Sequence, residues 1–404
     1  MANPRISEVT VKGLRALADV TLQLGGLTVL IGDNGSGKSS LIEACELLRR
    51  AADGSFAEDL RKIHGGPRSL LRFGADRLEL GVRVVSGADE YAYSFALDEA
   101  GEILSESLLH GRDESAPLLT RGECSKGPHI EVVSEEPGRE KKEEAHVRPR
   151  DLGLPAFWRK PPHRAVTAVL EALGGIDVHL PFDTGPRWAQ RSRGLPSPLR
   201  DAATIEPIDG LDRFGHNLAN AFSALKNDFS EAHWRETMDD VRLGLGRDVE
   251  SINVRADPAG GAIALRLKYA GLDEQVPAFS LSDGMLSYLC FVALYRLNAG
   301  KSLIAFDEPD VHLHPELLMR VLGFLESMSR DVPLLLATHS DRLLDGLTDP
   351  ASSVVLCELD ERRATRLVRP DAAALADWLT DYRGLGELRT AGHAASVLTR
   401  REDS

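Results

Sequence analysis

An apolar run, Leu27 to Ile31, that ends in Gly32-Asp33-Asn34-Gly35-Ser36-Gly37-Lys38-Ser39 and passes straight into a helical pattern restricts the fold more than any other stretch of this chain. The eight residues match G-x-x-x-x-G-K-[ST], and the flanks are those that a phosphate-binding loop requires, a strand before it and an amphipathic helix after it. From Lys38 to about Arg50, Leu41, Cys45 and Leu48 recur at a spacing that gathers apolar groups on one helical face. Gly35 and Gly37 admit backbone angles that turn successive N–H groups inward, and the positive N-terminal end of the helix adds its attraction for anions. In this reading Asn34, Gly35, Ser36, Gly37, Lys38, Ser39 and Ser40 line a nucleotide; Lys38 reaches the β- and γ-phosphates and Ser39 ligates magnesium.

A matching acidic site follows far downstream. Leu303-Ile304-Ala305-Phe306-Asp307-Glu308-Pro309 reads as a buried strand that delivers two carboxylates to the mouth of a sheet, where phosphates lie. Asp307 would hold magnesium through water, and Glu308 would polarise the attacking water as general base. Alone, such a pair is often a surface turn; the phosphate loop gives it meaning. Thr338-His339-Ser340 follows another apolar run, Leu334 to Ala337, so His339 projects from the same edge, within reach of a γ-phosphate. Leu281-Ser282-Asp283-Gly284-Met285 precedes a helix with Met285, Leu289, Val292 and Ala293 on one face. Ser282 has two readings here, as the N-cap of that helix or, with Gly284, as a nucleotide contact.

The last third carries near-continuous apolar runs, Leu303 to Phe306, Leu334 to Ala337 and Val354 to Cys357, the pattern of strands buried on both faces. The expected fold is therefore α/β. A mostly parallel sheet flanked by helices is split between residue 30 and the region beyond 300. Leu78, Leu80, Val82 and Val84, then Tyr91, Tyr93, Phe95 and Leu97, alternate around Ser86-Gly87 and predict an antiparallel β subdomain. A second hairpin is expected around Pro258-Ala259-Gly260-Gly261. Residues 110 to 150 culminate in Glu135-Glu136-Pro137-Gly138-Arg139-Glu140-Lys141-Lys142-Glu143-Glu144 and read as a mobile loop or linker. The expected organisation is 1–109 as the first part of the core, 110–214 as an insertion or lid, 215–370 as the second part of the core and 371–404 as a helical tail.

With 404 residues the chain can bury a substantial core. Cys45, Cys124, Cys290 and Cys357 form no Cys-x-x-Cys pair, which fits a reducing compartment and ordinary buried thiols. No signal core and no apolar run of about 18 residues is present, so a cytoplasmic protein without membrane contact is expected. A formal net charge of −14 argues against broad electrostatic binding to nucleic acid and leaves a local patch possible. Arg187, Arg191, Arg193 and Arg200, with Arg159, Lys160 and Arg164 near in sequence, are the candidate patch; solvated, structurally neutral charges are the plainer reading.

The order Gly32 to Ser39, Leu281 to Met285, Asp307-Glu308-Pro309, His339 resembles the ABC-type ATPases of the RecF, SMC and OLD group, often described as AAA-type ATPases, over about residues 5 to 85 and 215 to 385. Leu281-Ser282-Asp283-Gly284 and Asp307 to Pro315 look more like the OLD-like branch than like transporter subunits. The spacing of about 240 residues between loop and signature points the same way. The resemblance implies ATP and Mg2+ as ligands and a head-to-tail homodimer in which Lys38 of one chain and Ser282 and Gly284 of the other enclose each ATP. It implies an ATPase acting as a motor or sensor, with a separately encoded effector and with nucleic acid as a possible partner, in DNA repair or phage defence. A nucleotide-gated scaffold with little turnover and a transporter subunit are the alternatives. Two departures stand out. The only glutamines, Gln23, Gln190 and Gln275, are misplaced for the Gln loop of such proteins, leaving His64 or Arg68 as substitutes or the Gly65-Gly66 region as a plain loop. With about 65 residues after His339, no Toprim nuclease domain like that of OLD enzymes is expected, and Trp378, Leu379 and Tyr382 in that tail are expected to pack on the core or on a partner. His312 and His314 fall in the segment that runs along the dimer interface in this family.

Overall fold

A computed structural model describes residues 3–54, 56–111, 117–124, 127–133, 142–157, 163–185, 199–257, 261–370 and 384–390. The first stretch forms β1 (Arg5–Leu14), β2 (Leu17–Gln23), β3 (Leu27–Gly32), α1 (Lys38–Arg50) and α2 (Phe56–His64). Six antiparallel strands follow: β4 (Arg77–Ser86), β5 (Asp89–Asp98), β6 (Ile103–His110), β7 (Leu119–Cys124), β8 (Gly127–Val133) and β9 (Lys142–His146). The middle carries α3 (Arg164–Gly174), β10 (Ile176–His179), β11 (Ala203–Thr204), α4 (Leu218–Asn227), α5 (Glu231–Leu245), β12 (Val249–Asp257), β13 (Ala262–Tyr269) and β14 (Val276–Pro277). The last part supplies α6 (Asp283–Arg296), β15 (Leu303–Asp307), α7 (Pro315–Met328), β16 (Leu334–Ala337), β17 (Val354–Leu359) and β18 (Thr365–Val368).

Three sheets result. The central one has the order β10-β15-β16-β3-β17-β18, with only β18 antiparallel to its neighbour. Strand β3 is thus flanked by strands some 300 residues away, and the core is split as its apolar runs imply. Alternation explains why those runs look continuous. Leu30, Ala305, Leu335 and Val355 face a core shared with α1, α3 and the antiparallel sheet. Val29, Ile31, Ile304, Phe306, Leu336 and Val354 face one shared with α4, α6 and α7. Each side chain lies on one face, and both faces are covered.

The second sheet runs β2-β1-β4-β5-β6-β7-β8-β9, extending the expected 78–97 hairpin in both directions. The expectation of a loop over 110 to 150 is corrected here, because β7, β8 and β9 lie within that range. These outer strands bury few positions, Leu119, Ile130 and Val132 among them, and a polar sequence with one apolar residue in two does not announce a strand. Of the charged run, residues 135–141 lie outside the described residues. Another strand unforeseen in the sequence, β10, comes from the interval expected as an insertion, yet it is an edge strand of the central sheet, in register with β15 from Ile176↔Leu303 to His179↔Phe306. The hairpin of β12 and β13 falls where the alternation placed it and joins β11 and β14 in the third sheet. Cys45, Cys290 and Cys357 are buried thiols. Trp378, Leu379 and Tyr382 lie outside the described residues, while a short helix, Leu385–Thr390, packs on the helix Asp341–Asp345, with Gly386 N–H donating to Asp345 Oδ1 at 2.7 Å. Among the described residues no helix is long and apolar enough to cross a membrane.

Candidate nucleotide site

The glycine loop leaves β3 between β16 and β17 at the carboxyl edge of the parallel sheet, the edge at which open α/β sheets bind ligands. Gly32, at φ 149°, passes so close to the Cys357 carbonyl that a β-carbon there would collide with it. Gly37, at φ 101°, is pressed against Thr365 and Leu17, and Thr365 Oγ1 donates to the Ser36 carbonyl at 2.9 Å. Strand β18 therefore braces the loop from behind. Gly35, at φ 79°, has open space where a side chain would stand. Helix α1 starts at Lys38 with Gly37 as its N-cap and, like α3, α4 and α7, takes no side-chain cap, whereas Ser230, Ser282 and Ser340 accept first-turn N–H groups of their helices. The N–H groups at the start of α1 are thus left for an anion. Ser36 Oγ is buried without a hydrogen-bond partner among the described residues. The Lys38 ammonium lies across the loop, donating to the Gly32 carbonyl at 2.8 Å and the Asp33 carbonyl at 3.0 Å.

Register carries the acidic residues to the same place. Asp307 closes β15 opposite Ala337 of β16, and Ala337 is opposite Leu30 of β3, so Asp307, Thr338-His339 and the loop share one edge. The Asp307 carboxylate is hydrogen-bonded by Ser39 and feels the charges of Lys38 and His339. Burial nevertheless dominates and lifts its pKa above the usual aspartate value. Glu308 stands in the left-handed region at φ 51°, rare for a residue with a side chain. Its N–H donates to the Ala337 carbonyl at 2.8 Å, which fixes that conformation and leaves the carboxylate exposed. Behind it, Thr338 Oγ1 donates to Asp310 Oδ1 at 2.7 Å and accepts from Ser340 N–H at 3.0 Å, tying the turn after β15 to the turn after β16. His339 is exposed.

Ser282 and Gly284 belong to a second cluster at the start of α6. Ser282 Oγ accepts the Met285 N–H at 3.2 Å, so the N-cap reading holds, and the residue itself stays exposed. A β-carbon on Gly284 would stand 2.9 Å from the His312 carbonyl, so this glycine lets the signature turn meet the segment after Glu308. His312 sits at φ 69°, and both His312 and His314 are exposed.

Sequence reasoning missed one residue here. Arg200, grouped with the solvated charges, is buried, and its guanidinium bonds the Thr184, Phe279 and Leu281 carbonyls and the Asp283 carboxylate. A long side chain in a Pro/Gly-broken stretch gives no periodicity from which to infer its burial. Arg164 is exposed, and Arg159, Lys160, Arg187, Arg191 and Arg193 lie outside the described residues. Of the proposed Gln-loop substitutes, His64 contacts Glu43 at 3.5 Å and Arg68 contacts Glu99 at 3.9 Å, while Gln23 pairs with Glu8.

Residues 27–345 match the family described as "AAA domain, putative AbiEii toxin, Type IV TA system". The chain is 23% identical to the OLD nuclease of Thermus scotoductus, over 92% of this chain and 66% of that protein. It is 40% identical to protein ea59 of Escherichia phage lambda, over 27% of this chain and 25% of that one. It thus spans slightly less than two thirds of one curated relative and a quarter of the other. Among solved structures, an SMC head bound to the C-winged helix domain of ScpA superposes with a TM-score of 0.53 at 14% identity, covering 90% of this chain and 97% of the other. An SMC head with an extended coiled coil from Pyrococcus furiosus, bound to the C-terminal domain of ScpA, gives 0.53 at 15% identity, covering 94% and 99%. At that identity the likeness is one of fold. With the matched segment spanning both the glycine loop and Asp307-Glu308, the chain belongs to this AAA-domain family and is an ABC-type ATPase domain of the RecF, SMC and OLD group.

Proposed function

We propose that the chain binds ATP with Mg2+, hydrolyses it, and acts as a nucleotide-dependent pair of subunits that drives a separately encoded effector. The observation that carries this reading is the meeting of Ser39, Lys38 and Asp307 at the uncapped start of α1. The residues fit a triphosphate and a divalent cation. A row of N–H groups without an N-cap side-chain acceptor, an ammonium that reaches the Gly32 and Asp33 carbonyls of the loop, and a hydroxyl–carboxylate pair are the donor set that such a ligand needs. When bound, the cation would neutralise charge on the transferred phosphoryl group. Lys38 would swing from the Gly32 and Asp33 carbonyls to the phosphates. Ser39 and Asp307 would hold the metal side, Glu308 would take a proton from the attacking water, and His339 would contact the γ-phosphate side from the neighbouring strand end.

Ser282 and Gly284 would close on the nucleotide of a second copy, since their N-cap turn is exposed at the surface. The OLD nuclease and the family's toxin–antitoxin description support a role in defence or DNA metabolism, with DNA or a partner protein as the object acted upon. Turnover by size-fractionated protein tests the enzymatic half. Glu308→Gln is expected to lower kcat by about 10² to 10⁴-fold while leaving ATP binding intact; wild-type protein that binds ATP and does not turn it over would make the chain a nucleotide-gated scaffold instead.

A further inference from the structure

Ser282 reaches its position only if the turn before α6 is held, and the group that holds it comes from far away in sequence. Arg200 is 6% exposed. Its Nε donates to the Thr184 carbonyl at 2.6 Å, its Nη1 to the Leu281 carbonyl at 2.7 Å and the Phe279 carbonyl at 3.2 Å, and its Nη2 to Asp283 Oδ1. The last three acceptors bracket Ser282 on both sides. The Thr184 end leads elsewhere. Thr184 lies shortly after β10, the strand paired with β15, and His179 at the end of β10 stacks on Phe306 at 4.7 Å, one residue before Asp307. From the other side, Gly284 rests against the carbonyl of His312 in the segment that follows Glu308. The signature turn of a chain is thus fastened to that chain's own Asp307 strand on two sides.

We infer that Arg200 is a positioning residue for Ser282, coupling the metal-side strand of one chain to the surface that this chain presents to the nucleotide of its partner. The inference rests on the paired reading above and adds to it the part that transmits between the two sites. Arginine suits the task because its planar fork offers five donors in fixed directions, and four acceptors are engaged here. Lysine would keep the charge and lose the geometry. Arg200 touches no residue of the glycine loop in these contacts, so its loss would leave nucleotide binding by its own chain in place. Its loss would remove what that chain offers to its partner.

That asymmetry makes the test one of complementation. Arg200→Ala and, as a milder change, Arg200→Lys are each expected to bind ATP within about 3-fold of wild type and to lose turnover by about 100-fold, the usual consequence of a misplaced contact. Mixed in equal amounts with Lys38→Ala, either variant should recover turnover to about a quarter of the wild-type rate per chain, because half the pairs are mixed and each holds one intact site. Mixed with Ser282→Ala it should recover none. Lys38→Ala with Ser282→Ala is the control. If the control complements and Lys38→Ala with both Arg200 variants does not, the role of Arg200 is overturned and the paired reading stands. If the control itself stays silent, the paired reading falls, and this inference with it.

Discussion

Burial pushes Glu106 within the antiparallel sheet and Asp307 at the edge of the parallel one toward their neutral forms, yet their surroundings differ in kind. Glu106 accepts from Tyr93 Oη at 2.9 Å and from the Gly153 and Leu154 N–H groups at 2.7 and 2.8 Å, with the Arg121 guanidinium 3.7 Å away. Arg121 in turn donates to the Arg148, Pro149 and Asp151 carbonyls. Every strong acceptor there is met by the protein, and the cluster stitches β5, β6 and β7 to the segment after β9. Asp307 has the Ser39 hydroxyl, two neighbouring charges and an open side. A buried acid saturated by its own fold is architecture. One half-buried at the mouth of the glycine loop is where we propose that a ligand binds.

This contrast can be broken in graded steps. Glu106→Ala should be the most damaging to stability, since it strands three donors and leaves Arg121 buried without its acid; a loss of about 3–5 kcal/mol is expected in denaturant unfolding, with ATP affinity of the folded molecules unchanged. Lys38→Ala should show the reverse. It is expected to lower ATP affinity by roughly 100-fold, about 2–3 kcal/mol by titration, and to alter unfolding less than Glu106→Ala does. Thr365→Val removes the hydroxyl that braces Ser36 and keeps the shape, so about 1 kcal/mol of nucleotide affinity should go, read in the same titration. Asp307→Asn should give the smallest and least intuitive change. The folded pKa of Asp307 is raised, so between the unfolded and folded values the native state binds more protons and stability falls as pH rises. At neutral pH the variant should therefore unfold slightly later than wild type, the gap closing as pH drops below the ordinary aspartate range, while turnover is lost.

The parallel core was legible in the sequence because its strands are buried on both faces and its loop has fixed spacing. Lys38, Ser39, Asp307 and His339 could be placed on one edge from the strand that precedes each of them. Elsewhere the pattern thinned. Strands β7 to β9 bury few side chains and carry charge among the rest, and β10 is four residues long, with Asp177 and His179 in it. Arg200 was unreadable for a different reason. A buried arginine held mostly by backbone carbonyls leaves little trace in composition, since three of its four partners are peptide groups that every residue has.

Sedimentation of Glu308→Gln with ATP and Mg2+ decides whether Lys38, Ser39 and Asp307 form a nucleotide site completed by Ser282 of a second copy. A shift from monomer to dimer is expected on adding ATP, absent with ADP and abolished by a further Lys38→Ala change. A species that stays monomeric at saturating ATP, or that dimerises equally without nucleotide, would contradict it.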